Sequence, residues 1–514
     1  MPDTRPAITL SASPITIEQV VAVAQNNASV QLDSDPAFVA MLDKSVAHLE
    51  KLLASDTLVY GVTTGFGASC ETIVPEELSA QMATNLSRFH GCGTGAHFNA
   101  QQAAAITIVR LASLTQGRSG VRPILLERLV DLLNQRILPH MPSEGSVGAS
   151  GDLTPLSYIV AALIGEREVS VNGKVVPAAD ALKTAGLDPL VLRPKESLAI
   201  MNGTSVMTGL ACLAFDRARK LARWAAALTA MASDVTQGNR SHFDARIFEA
   251  KPHPGQLACA RWIASDIQYQ PGQQHIGRIQ DRYSIRCAPH VIGVMLDSLP
   301  FLRQLLETEL NSSNDNPLLD IDTGDVLHGG NFYGGHPCLA MDILKNTAAN
   351  LADLADRQMA LICNPDTNHG LPADLVMQDN AQRVSHHGFK AMQITASALA
   401  AEALKLTMPA SVFSRSTESH NQDKVSMGTI ASREALRILD LTETVCAVLQ
   451  LALCQAVDIR KKEGCHQRSL ALHEAIRKHI PPNTADRRQD GDIIKIIELH
   501  HTNQLPEGDI DFVV

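Results

Sequence analysis

Residues 145–155 read Gly-Ser-Val-Gly-Ala-Ser-Gly-Asp-Leu-Thr-Pro, with three glycines in the first seven positions. Such a stretch can take backbone conformations closed to other residues. In a tight turn the Gly151 nitrogen can reach the carbonyl carbon of Ala149, because no Cβ stands in the way. Loss of water closes a five-membered ring. A second loss, from the Ser150 side chain, leaves an exocyclic methylene conjugated to the ring carbonyl, a strong electrophile made without a bound cofactor. Taken alone, Ala149-Ser150-Gly151 is three common residues and reads as a simple turn.

Five other segments add side chains that such chemistry needs. Tyr60-Gly-Val-Thr-Thr-Gly-Phe-Gly67 places a phenol on a glycine-rich loop, although a lone Tyr is more often a packed ring with one hydrogen bond. Met201-Asn202-Gly203-Thr204 opens a long apolar segment, where Asn202 alone would read as a capping residue. Gln280-Asp-Arg-Tyr283-Ser-Ile-Arg286 carries a guanidinium that can grip a carboxylate through two parallel hydrogen bonds, or simply make a surface ion pair. Residues 311–317, Asn-Ser-Ser-Asn-Asp-Asn-Pro, form a polar, turn-rich cluster. The fifth is Glu418-Ser-His-Asn421-Gln422.

In this order, from about residue 15 to beyond 426, these segments resemble the histidine and phenylalanine ammonia-lyases, whose prosthetic group is methylidene-imidazolone (MIO). The resemblance implies that Ala149, Ser150 and Gly151 form the MIO ring and that no external cofactor is used. It implies that Tyr60 is the base for the β-proton, that Asn202 holds the ring, and that Arg286 binds the substrate carboxylate. Tyr283, Gln280, Phe332, Leu153 and Gly67 line the site, with Glu418 and Gln422 near the amine or ring pocket. It further implies a mainly helical homotetramer whose active sites are each shared by three subunits, acting on a small aromatic amino acid. A phenolate base must form from a group whose ordinary pKa is about 10. We therefore expect loop amides and helix N-termini to lower it, and an alkaline rate optimum.

Ring selection in the resembling enzymes lies partly in two adjacent residues, here Phe89-His90. Phenylalanine lyases usually show Phe-Leu, tyrosine lyases His-Leu and histidine lyases Ser-His, so this pair is mixed. Phe89 offers an apolar wall where an imidazole would lose solvation, and Glu418 matches many phenylalanine lyases. L-Phenylalanine to trans-cinnamate is the leading expectation. His90 can bond a ring substituent or a local backbone group, which leaves tyrosine and histidine open. A 2,3-aminomutase uses the same MIO group and also stays open, with an inactive helical scaffold as a remote alternative.

These segments need a frame, and helical periodicity supplies it. Residues 17–27, 38–53, 101–114 and 123–138 space apolar residues at helical intervals, and Asp35-Pro36 reads as an N-cap with Pro at the first helical position. Asn172-Gly173 between short apolar runs predicts a hairpin. Longer runs occupy 205–233, 284–310, 339–363, 379–406 and 432–460. The fold class expected is mainly α: a long-helix bundle core, with an irregular, loop-rich N-terminal part carrying the MIO loop. The composition shift suggests a boundary near residue 200, dividing 1–200 from 201–514.

The remaining classes are weaker. A net charge of -10 with no basic stripe argues against a nucleic-acid partner. His386-His387 and His500-His501 are adjacent, not at the i, i+4 spacing of helix-borne metal ligands, so no metal is expected. Walker and dinucleotide fingerprints are missing, as is the Gly-Ser-Ser-x-Met-Pro-x-Lys-x-Asn loop of the fumarase and aspartase superfamily. The ten cysteines form no CxxC pair and read as free thiols. Residues 1–13 show no apolar signal region and no run reaches a membrane span. A cytoplasmic location without membrane partners is expected.

Overall fold

The computed structural model describes residues 4–55, 57–272, 278–377, 381–510 and 512. Helix dominates, as the mainly α expectation requires. The longest helices are Ser205–Val235, Ala288–Leu310, Gly335–Cys363 and Gly428–Ile459. From Ser205 to Phe215 every residue of the first is buried. A helix apolar on all sides belongs in a core. Strands are short: Ala7–Leu10 pairs in parallel with Ser29–Leu32, and Glu168–Val171 pairs with Lys174–Pro177 across Asn172-Gly173. Both hairpin residues take positive φ, 50° and 77°, as a type I′ turn demands.

Local chemistry sets several boundaries. Asp35 caps the helix Pro36–Leu53 through the Ala37 amide. The 123–138 run ends as a helix at Asn134, because Arg136 turns left-handed and Leu138–Pro139 becomes a strand. The 284–310 run divides into Tyr283–Arg286 and Ala288–Leu310. Pro289 has no N–H to donate and suits a first turn. Pro300 remains inside the second helix. In the 379–406 run the helix is Lys390–Lys405; Asp379 lies outside the described residues.

The chain forms two compact units. One is Met1–Asp216, Arg303–Asp342 and Pro409–Arg433; the other is Arg217–Leu302, Ile343–Met408 and Glu434–Val514. The composition shift near residue 200 is a different division from this one. The expectation of no membrane-length run needs correction. Tyr283–Leu310 is long and apolar enough by length and composition. Ile285, Ile292, Met295, Leu296, Leu299 and Leu302 are buried along one helical spacing, the pattern of a core helix.

Candidate active site

The segment 145–155 folds back sharply. Gly148, Ser150 and Gly151 have φ of 80°, 48° and 77°. Ser150 is the costly one, because a side chain disfavours this region. A Cβ on Gly151 would lie 2.0 Å from the Gly203 carbonyl oxygen, so the turn admits only glycine there. Gly203 N–H donates to the Ser150 carbonyl at 3.1 Å, and Asp152 N–H donates to the Gly203 carbonyl at 2.8 Å. Asp152 is fully buried. Its carboxylate accepts from Ser146 Oγ at 2.9 Å, from the Val206 and Met207 amides at 3.1 and 3.0 Å, and from Thr429 Oγ1. Burial pushes that carboxyl up and these bonds pull it down. The tripeptide is thus pinned to the N-terminus of the helix Ser205–Val235.

Asn202 closes the short helix Glu196–Met201. Its carbonyl accepts from Arg110 Nη1 at 2.9 Å and its Nδ2 donates to the Asn316 carbonyl at 2.8 Å. Its Oδ1 is buried without a partner among the described residues. A buried amide oxygen left free, one residue before the Gly203–Ser150 contact, fits a further group built on residues 149–151.

The Tyr60 loop comes to the same place. Gly67 N–H donates to Tyr60 Oη at 2.8 Å. The Ala68 amide donates to both Glu418 oxygens, at 3.0 and 3.2 Å. Thr417 and Gln422 pair across a turn in which Glu418, Ser419 and His420 all have positive φ. From that turn Gln422 Nε2 donates to Ser150 Oγ at 3.3 Å. One turn therefore touches both the phenol loop and the tripeptide. The expected lowering of Tyr60 is corrected: burial foremost, then the Glu418 charge, pushes the phenol up, and only the Gly67 amide acts against them. Cys70 adds to the upward push.

Phe89 ends the helix Glu76–Phe89 and is 59% exposed. The His90 ring lies 4.3 Å from its ring, centroid to centroid. His90 Nδ1 is 2.9 Å from the Leu86 carbonyl. A carbonyl only accepts, so Nδ1 carries the proton and Nε2 is left as an acceptor. Burial, with Arg167 nearby, lowers the His90 pKa against the Leu86 bond and keeps the ring neutral. Leu153, half-buried, starts the helix Leu153–Leu163, and Phe332, also half-buried, sits on the 329–334 loop.

Gln280, Tyr283 and Arg286 belong to the second unit and cluster with one another. Arg286 Nε donates to the Asp281 carbonyl at 3.0 Å and Nη2 to Gln280 Oε1 at 3.3 Å. Its guanidinium carbon stands 4.6 Å from the Tyr283 ring centre, and Tyr283 is 71% exposed. Sequence reasoning passed over Arg110, Asp152, Lys195 and Thr429. Arg110 did carry a signal, a charge inside the apolar run of the helix Ala100–Leu114. Thr429 carried none.

Residues 15–478 match the family model described as aromatic amino acid lyase. The histidine ammonia-lyase of Gloeobacter violaceus is 38% identical over 98% of this chain and 97% of its own length. Among solved structures, the tyrosine aminomutase of Streptomyces globisporus aligns with a TM-score of 0.91 at 35% identity, covering 99% of this chain and all of that one. The Pantoea agglomerans phenylalanine aminomutase aligns at 0.88 with 31% identity, over 96% of this chain and 98% of that one. A match of this length, on a frame that folds Ala149-Ser150-Gly151 against Gly203 and Tyr60 beside Gly67, places the chain in the aromatic amino acid lyase family.

Proposed function

We propose that this enzyme eliminates ammonia from an aromatic L-amino acid, L-phenylalanine to trans-cinnamate, using an electrophile it forms from Ala149, Ser150 and Gly151. The observation that carries this is the 417–422 turn, which holds Ser150 through Gln422 and the Tyr60 loop through Glu418. The MIO group supplies an electrophile that turns a poor amine leaving group into a better one. Tyr60 takes the β-proton. Asn202 offers its free Oδ1 to the ring or the substrate. Arg286, with Tyr283 and Gln280, binds the carboxylate, and in a homotetramer these three come from other subunits. Phe89 forms the apolar wall, and Leu153, Phe332 and Gly67 close the pocket.

A second reading rests on His90. Its Nε2 accepts, so a ring bearing a donor, the hydroxyl of tyrosine or the N–H of histidine, gains a partner that phenylalanine lacks. The decisive test incubates the protein separately with L-Phe, L-Tyr and L-His and resolves acrylates from β-amino acids, with Ser150→Ala as control. Cinnamate from L-Phe, lost in the control, is the expected outcome. Coumarate or urocanate in its place assigns the ring to His90, and a β-amino acid makes the enzyme an aminomutase. At high ammonia the same protein should aminate the matching acrylate; failure to do so overturns the lyase assignment.

A further inference from the structure

Arg110 is a fully buried cation that no role above uses. It lies in the helix Ala100–Leu114, where every residue from Ala103 to Leu114 is buried. An aliphatic side chain there would pack without losing hydration, whereas a guanidinium loses much of it. Its Nη1 donates to the Asn202 carbonyl at 2.9 Å and its Nη2 to Ser113 Oγ at 2.9 Å. The packing is tight: a Cβ on Gly203 would lie 2.0 Å from Nη1.

The Asn202 carbonyl and the Gly203 N–H are the two ends of one peptide group. That N–H donates to the Ser150 carbonyl at 3.1 Å. An amide whose oxygen accepts from a cation becomes a stronger donor at nitrogen, because hydrogen bonds in series polarise one another. We propose that Arg110 is a positioning residue which, through the Asn202–Gly203 peptide, draws electron density from the Ser150 carbonyl. The inference rests on the functional reading above, in which that carbonyl is conjugated to the electrophilic methylene.

The surroundings hold this relay in register. Ser113 Oγ donates to Asn314 Oδ1 at 3.1 Å, and Asn314 Nδ2 donates to Thr204 Oγ1 at 2.9 Å. The Asn202 side chain is held separately by the Asn316 carbonyl. Asn316 N–H donates to Asp315 at 2.7 Å, and Asp315 pairs with the fully buried Lys195. Burial brings Arg110 down to about 10 and Asp315 acts against that, so it stays a cation at neutral pH.

The test compares Arg110→Met and Arg110→Lys with wild type. Intact mass counts the two lost waters, near-UV difference spectra against Ser150→Ala locate the ring absorption, and kcat and KM are measured separately. In Arg110→Met the ring band should move to shorter wavelength and kcat should fall about 100-fold, the scale for losing one preorganised donor, with KM little changed. Arg110→Lys, still cationic, should recover part of both. An unmoved band, with or without loss of kcat, overturns the proposal, since a merely structural role leaves the band in place. Should Arg110→Met be unfolded or form no ring, Ser113→Ala decides. It frees Nη2 and the Asn314 groups that Ser113 Oγ holds but leaves the Nη1 bond to the Asn202 carbonyl, and should give a smaller displacement in the same direction; an unmoved band there overturns the relay. Wild-type protein that has lost no water refutes the functional reading instead.

Discussion

A phenol serves as a base only once ionised, and both burial and the Glu418 charge keep the proton on Tyr60. With Tyr60 as the proposed base, the active fraction grows with pH, and the rate should climb through the alkaline range without a neutral plateau. Glu418→Gln removes a negative charge that raises Tyr60, so the rising limb should move to lower pH. A limb that stays put means that Glu418 does not act on the base. Tyr60→Phe should lower kcat about 1000-fold, the usual scale for a general base, with ring formation by intact mass unchanged. His90→Leu removes the Nε2 acceptor and should shift kcat/KM toward phenylalanine over tyrosine; an unchanged ratio denies His90 a part in ring selection. At this scale the sequence was most legible where one motif is contiguous, as at 149–151. The direction of the Tyr60 shift was not legible, because its largest cause, burial, exists only in the folded loop, and the Glu418 charge that adds to it stands 350 residues from the Ala68 amide that fixes it there.

Helices were readable from apolar spacing because their buried faces repeat along the chain, as in Pro36–Leu53 and Gly428–Ile459. Their ends were less so, since they depend on single residues such as Arg136 and Pro289. What ties them together was hidden in ordinary polar positions. Glu443, 1% exposed, accepts from Arg217 at 3.0 and 2.7 Å, and His501 Nε2 lies 2.7 Å from the same carboxylate. Despite burial, these partners hold its carboxyl at about 2. A carboxyl lowered from 4.5 on folding stabilises fully above that value and loses its contribution as pH falls toward 2. Glu443→Gln leaves the Arg217 cation with Asp440, 2.7 Å away, as its remaining carboxylate and should destabilise by about 2 kcal/mol at neutral pH. The deficit should shrink below pH 4.5, measured as thermal midpoints across that range. A variant as stable as wild type at pH 7 would show the pair to be energetically idle.

The two compact units interleave along the chain, a pattern that no linear scan of composition finds. The candidate residues divide between them, Tyr60, Ser150 and Gln422 in one and Gln280, Tyr283 and Arg286 in the other. Under the proposed homotetramer, light scattering should give about four times the 55.3 kDa chain mass. Arg286→Ala and Ser150→Ala, each inactive alone, should regain activity when refolded together, because some mixed sites combine intact halves. No recovery from a mixed tetramer would mean that one chain supplies the whole site. The seat of Asp152 has a consequence for timing. Its partner Thr429 lies 277 residues downstream, and Gln422 reaches Ser150 across 272. A ribosome releases the tripeptide long before it releases either of them. The nascent chain therefore carries an ordinary Ala-Ser-Gly past the thiols and amines of the cell. Under the proposed chemistry it arms itself only after most of its length has emerged and closed around that turn.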